Sequence, residues 1–363
     1  MAHTAALVSF LLLLAPDVVR VDFGTSPARR VKLLRNPIPG VRMRAAMLLA
    51  HAPADEAIAG LLVALSDPAR EVRQAAASSV GMLADERAVP FLAARLGRET
   101  APTVTTNLLL ALARCGGPYV GRKLTPFLEH PNRSVRTAAA VALGRLGDAG
   151  QRDALWAALR YAPNDPGFEV RAAILDAFVE LGWKEDVARA VAELEAAGAL
   201  RHWSSRAAIC AAIGGADLES RADWLKEAMA TEEDPRVLAA GMGALAKLGL
   251  LDAVYAGLDH LQADVRRACL VALEEAKDPR VGGRAEVMVR SDPEVSVRFE
   301  AALVLHHLGH ASADSYLVDA LGSRDPLVWV TALSELERKY GRSFERDSEA
   351  WTGFLLERAL AGR

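Results

Sequence analysis

Only 6% of the 363 residues are aromatic, and cysteine occurs three times, at positions 115, 210 and 269. Those cysteines lie tens of residues apart with no C-x-x-C pair, so neither a disulfide framework nor a cysteine zinc site is written here. Cys115, Cys210 and Cys269 are expected to face inward as small hydrophobes. The formal net charge of −3 supplies no basic field for a phosphate backbone, which argues against a nucleic-acid partner. The longest uncharged apolar run, Ala5 to Ala15, has 11 residues, too few to span a bilayer as a helix. Strand signals are few. No P-loop, G-x-S-x-G, H-E-x-x-H or Rossmann glycine pattern is present, so no catalytic centre and no cofactor are indicated.

What the chain has in abundance is Ala, Leu and Val, within a hydrophobic fraction of 52%. Small side chains of high helix propensity favour helices that approach closely. The stretch SDPAREVRQAAASSVGML, Ser66 to Leu83, recurs in outline along the chain. Aligned on one apolar anchor, the units fall at Val41, Val72, Val104, Val135, Val170, Ser205, Val237, Val265, Val297 and Val328. Successive gaps of 28 to 35 residues are the period of helical-pair solenoids. Eight residues after every anchor stands another apolar residue, from Leu49 to Leu336, which defines an amphipathic second helix in each unit. A shorter amphipathic segment precedes it, for example Ala57 to Leu65 and Ala311 to Leu321. One such pair leaves apolar surface on both sides, so only stacking on its neighbours buries it. These patterns predict an all-α, right-handed α-solenoid of about ten stacked helical hairpins over residues 26–340. An apolar segment over 1–25 precedes it, and a capping helix over 341–363 closes it. The run from Ala5 to Ala15 fits either a signal-peptide core, which would make the protein exported or periplasmic, or a helix that caps the first repeat in a cytoplasmic protein.

Asp67-Pro68 followed by Val72-Arg73, Asp165-Pro166 by Val170-Arg171, and Asp292-Pro293 by Val297-Arg298 carry a resemblance. The chain resembles bacterial HEAT-repeat proteins, including those with phycobilin-lyase-like repeats. In that family the Asp and the Arg six residues on form a hydrogen-bonded ladder between consecutive repeats. The resemblance thus implies ladder roles for Asp67, Arg73, Asp165, Arg171, Asp292 and Arg298. On physical grounds alone, an Asp before Pro can cap a helix whose first residue is that Pro, and a buried Arg requires a carboxylate. The terminal stretch from Tyr340 to Leu360 is similar to the end of bacterial HEAT proteins, with Phe344, Asp347 and Trp351 matching and Glu345 in place of the usual Gly.

If the second helices line a concave surface, offsets 2, 6, 9 and 13 from each anchor face outward. That stripe brings Thr106, Leu110, Val141, Val179 and Trp183 forward as candidate contacts for a peptide or protein, in a monomeric, noncatalytic scaffold whose partner is unidentified. A second function class is an accessory lyase-like or chaperone protein acting on a cofactor-bearing partner. A DNA-glycosylase-like role could place Asp176 and Trp183 at a site but lacks the cations around it. The iron hydroxylases built on such repeats use His-Glu dipeptides, and none occurs here. His306 and His310, four residues apart, form a weak metal candidate beside Glu274 and Asp278.

Overall fold

The computed structural model describes residues 23–24, 26–117, 119–161, 168–310 and 312–361. The apolar segment before residue 23, and Asp165 of the expected ladder, lie outside them. Twenty-one α-helices and no strand occur among the described residues, and no helix is long and apolar enough to cross a membrane.

The helices alternate as first and second members of ten pairs. The first members are α1 (Pro27–Leu33), α3 (Ala54–Ala64), α5 (Val89–Leu96), α7 (Val120–Leu124), α9 (Arg152–Tyr161), α11 (Lys184–Ala196), α13 (Ala222–Thr231), α15 (Leu251–Gly257), α17 (Val281–Ser291) and α19 (Ala313–Ala320). The second members are α2 (Pro39–Leu49), α4 (Arg70–Leu83), α6 (Pro102–Cys115), α8 (Arg133–Leu146), α10 (Glu169–Glu180), α12 (Trp203–Gly215), α14 (Pro235–Lys247), α16 (Ala263–Glu275), α18 (Val295–His307) and α20 (Pro326–Tyr340), and α21 (Ser348–Ala361) ends the chain. Every anchor and every residue eight further on is buried, except Val328, which is half-buried. All three cysteines are buried. Several first helices are shorter than their sequence pattern suggested. The segment holding α7 passes into a 3-10 turn over Thr125–Glu129, where Pro126 has no N–H to extend the α pattern.

Two compact units divide the chain, residues 12–212 and 213–363. In the first, α2, α4, α6, α8 and α10 pack in succession; in the second, α14, α16 and α18 do. Close approach is built from small residues. A Cβ added at Gly144 of α8 would stand 2.8 Å from the Ala177 Cα on α10, and Gly81 meets Ala111 in the same register. In the second unit Gly214 meets Ala244 likewise. Ser79 of α4 donates its hydroxyl to the Ala46 carbonyl of α2 at 2.9 Å, which satisfies a polar group inside this seam.

Arginines at the position after the anchor tie successive units together. Arg42 grips Asp67 of the next unit through Nε and Nη2 at 2.7 and 2.8 Å, while its Nη1 donates to the Asn36 and Pro37 carbonyls of its own unit. Arg73 grips Glu99 at 2.9 and 3.0 Å, and Arg266 grips Asp292 at 2.8 and 2.7 Å. Each acid also fixes the turn into its own second helix by accepting from the amide two residues on, that of the N-cap residue: Asp67 from Ala69, Glu99 from Ala101 and Asp292 from Glu294. Asp67 and Arg73 are therefore not side-chain partners; Arg73 Nη1 binds the Asp67 carbonyl at 3.0 Å, as Arg298 Nη1 binds that of Asp292 at 2.6 Å. Arg171 donates from Nε to the Leu159 carbonyl. Burial alone would push the Glu99 carboxyl up, but bonds from Arg73, the Ala101 amide and Arg95 outweigh it and bring it down to about 2.

Pro68 departs from its expected place as first helical residue. Asp67 bends the chain through its bond to the Ala69 amide, so α4 begins only at Arg70. Pro235 and Pro326 do occupy first helical positions, behind the N-caps Asp234 and Asp325.

The last pair is closed by α21. Asp347 accepts from the Glu349 and Ala350 amides, and Trp351 is fully buried against Phe344, Tyr340 and Phe354. Glu345, where the family's Gly was expected, sits at φ +50°, a left-handed conformation that glycine adopts without cost.

Candidate binding face on the second helices

A second helix touches the first helix of its own pair on one side and second helices of adjacent units on two others. What remains open is a narrow stripe. On α4 the exposed residues are Arg70, Glu71, Gln74, Ser78 and Met82, at offsets −2, −1, 2, 6 and 10 from the anchor. Offset 9 belongs instead to the helix–helix seam, where Gly81 and Gly144 sit against the next helix.

This corrects part of the expected stripe. Thr106 and Leu110 on α6 and Val141 on α8 do lie on it, half-buried at offsets 2 and 6. Val179 on α10, also half-buried, has the register of Gly81 and Gly144 and is turned toward the seam. Trp183 is not on a second helix at all. Gly182 at φ +69° ends the run of α10, and Trp183 becomes the N-cap of α11. Its ring packs 5.7 Å from that of Phe178, with the Arg152 guanidinium 5.7 Å from its centroid. In the unit of residues 12–212 the open stripe is small and largely uncharged at its middle, with Met47, Ser78, Leu110 and Val141 at offset 6 and Asp176 at the same offset on α10.

In the unit of residues 213–363 the corresponding stripe sinks into a groove of about 320 Å³. Ala239 and Gly243 of α14 and Ala268, Val271 and Ala272 of α16 form its apolar part, and Asp264, Arg267, Glu275 and Glu300 supply charge. Arg267 Nη2 is 3.4 Å from Glu300 and Nη1 is 3.8 Å from Asp264, both loose contacts, and its Nε is buried without a hydrogen-bond partner. Burial pushes the Glu300 carboxyl up by more than Arg267 pulls it down. No sequence pattern singled out this groove. The repeated small residues at offsets 2 and 6 of α14, Ala239 and Gly243, were its available signal.

The histidines do not converge. His306 is buried, with Nδ1 2.7 Å from Asp314, whose carboxylate also accepts from Lys339 at 2.9 Å and Tyr340 at 2.5 Å. Burial would raise the Asp314 carboxyl, but these donors hold it below the ordinary carboxylate value. His310 lies past the end of α18, beyond Gly309 at φ +82°, and faces Glu286 at 3.2 Å. The four-residue spacing therefore does not put both rings on one helix face. Glu274 meets His307 instead, at 2.5 Å, and Glu335 lies 3.4 Å from the other ring nitrogen of His307. Glu274 chiefly, and Glu335 with it, raises the His307 imidazole above its ordinary value. Asp278 is engaged by Arg280 at 2.7 Å. Among the described residues no group of three or more His, Cys, Asp or Glu could hold a metal ion.

Residues 27–113 and 98–179 match the family model for HEAT repeats. No curated protein matches the chain. Among solved structures, 220 chains do. A homology model of the full-length AP-3 complex shares 12% identity over 78% of this chain and 56% of that one, with a TM-score of 0.53. This chain thus spans little more than half of that one. The Kap95:Nup1 complex gives 11% identity, coverage of 92% and 57%, and a TM-score of 0.49. The CpcE–CpcF complex of phycocyanin lyase from Nostoc sp. PCC7120 gives 20% identity, coverage of 77% and 95%, and 0.41. At such identities the first likeness speaks for fold alone. Residues 27–179 thus match HEAT repeats, and the described chain has an all-helical, solenoid-type fold.

Proposed function

We propose that this protein is a noncatalytic scaffold that binds an extended segment of a partner protein across its second helices. The observation that carries this reading is the column of uncharged side chains at one offset on consecutive helices, Met47, Ser78, Leu110 and Val141. Packed helices lie about 8–10 Å apart and an extended chain advances about 3.3 Å per residue. A segment crossing the stack would thus meet a new helix roughly every third residue, reading one small pocket edge per repeat. Neutral, partly apolar side chains suit a peptide better than a phosphate backbone, which draws rows of Arg and Lys.

The test is site-specific photocrosslinking in the native host. Benzoylphenylalanine in place of Leu110 or Val141 should capture one distinct protein. The same group in place of Val63, 76% exposed on the first helix α3, should not. Equal adducts from all three sites, or recovery of nucleic acid alone with a steep salt dependence, would refute the proposal.

A further inference from the structure

The groove in the unit of residues 213–363 is unbalanced in charge. Asp264, Glu275 and Glu300 face it and Arg267 is the single cation among its lining residues. That cation is held loosely: its bond to Glu300 at 3.4 Å and its contact with Asp264 at 3.8 Å contrast with 2.7 and 2.8 Å in the Arg266–Asp292 pair on the same helix. Glu275 makes no ion pair among the described residues, and the Glu300 side chain is only 15% exposed. The neighbouring acids are already matched, Glu274 by His307 and Glu335 by Arg338 and His307, so the excess is confined to the groove. A carboxylate drawn out of water without close pairing is held at a cost that an incoming cation would offset.

Resting on the reading above, that the second-helix face takes a partner segment, we propose that this groove seats a lysine or arginine side chain of that segment. Glu300 and Glu275 receive its charge, and Ala239, Gly243 and Val271 flank its methylene stem. At about 320 Å³ the groove is at the small end of the roughly 300–1,000 Å³ of ligand sites, a size for a side chain more than for a cofactor. Gly243 keeps the floor open, since a Cβ there would have nothing within 4 Å. Long cationic side chains lay their stems on apolar surface and keep the head among polar groups, which is the division this groove offers. An acidic occupant would add a fourth negative charge beside three, and a neutral one would leave the excess untouched.

The probes are three capped tripeptides, Ala-X-Ala with X as arginine, citrulline or glutamate, titrated into the full chain and read on the Val271 methyl resonances. The arginine peptide should shift Val271 and bind at least tenfold more tightly than its citrulline counterpart, and the glutamate peptide should leave Val271 unmoved. Glu300→Gln should weaken the arginine peptide at least fivefold. Glu275→Gln, at an exposed helix end, should weaken it in the same direction and guards against a folding defect at Glu300. Equal binding of arginine and citrulline, tighter binding of glutamate, no shift with any peptide, or an unchanged affinity in both variants would overturn the proposal. Photocrosslinks at Leu110 and Val141 report on the other unit, so their loss would count against the broader reading and not against this one.

Discussion

Asp292→Ala should cost about 3–4 kcal/mol, because Asp292 does two things at once. Its Oδ1 accepts from the amide of Glu294, the N-cap residue of α18, at 2.9 Å, a bond in the turn into the helix worth about 1 kcal/mol. Both oxygens also receive Arg266, which is 7% exposed. Removing one partner of a buried ion pair typically costs about 3–5 kcal/mol. Here the loss falls at or below the bottom of that range, because Arg266 Nη1 keeps its bonds to the His260 and Leu261 carbonyls at 2.7 and 3.0 Å. Asp292→Asn keeps a neutral acceptor and should cost about 1–2 kcal/mol. Adding Arg266→Met to Asp292→Ala should recover part of the loss, since no unpaired guanidinium then remains. Burial works to raise the Asp292 carboxyl, but the bonds from Arg266 and the Glu294 amide hold it below its ordinary value. Its contribution is therefore present above the unfolded pKa of about 3.9 and is lost as pH falls through the folded one. Urea denaturation of the full chain, with amide exchange over the first turn of α18 as a local probe, measures the parent, these three variants and the Arg266→Met single variant that completes the cycle. A single variant within about 0.5 kcal/mol of the parent, or a double-mutant cycle with no coupling, would refute the assigned role.

Gly144→Ala should destabilise by about 1–3 kcal/mol, because its Cβ would stand 2.8 Å from backbone on α10. Gly243→Ala, with open space around the new methyl, should gain about 0.5–1 kcal/mol, and thermal melts of the two variants should move in opposite directions. Glu345→Gly should stabilise by about 0.5–1 kcal/mol, since a left-handed conformation costs a side chain about 1–2 kcal/mol and glycine returns part of that as entropy. His307 is raised by Glu274 and Glu335, so its contribution to stability is complete below about pH 6.5 and fades as pH rises through the folded value. The urea midpoints of the parent and His307→Gln should accordingly differ more at pH 6 than at pH 9; a gap that widens with pH would contradict the bridge.

The repeat register was legible because it is a local property: Val72 and Val80 lie on one helical face whatever surrounds them, and both are fully buried. The acidic slot was only half legible. Glu99 fills it as well as Asp67 does, since either carboxylate can take the two donors of an arginine fork, but a search for Asp-Pro passes over it. The open stripe was placed opposite the anchor, as for a helix packed on one side. Second helices are packed on three, which keeps offsets 2 and 6 open as expected and turns offset 9, and Val179 with it, into the seam. Trp183 failed as a face residue because Gly182 ends the helical register before it.

By itself the sequence determined the class of fold, the number of helical pairs and the residues at their cores, because hydrophobic periodicity and turn chemistry act within a dozen residues. Tertiary structure alone decided which partner each charge meets. Arg73 reaches Glu99 across 26 residues, His307 turns to Glu274 while His306 turns to Asp314, and three carboxylates gather around the loosely held Arg267. Electrostatic contacts depend on distances of a few ångströms between chain-remote groups, and stacking geometry sets those distances.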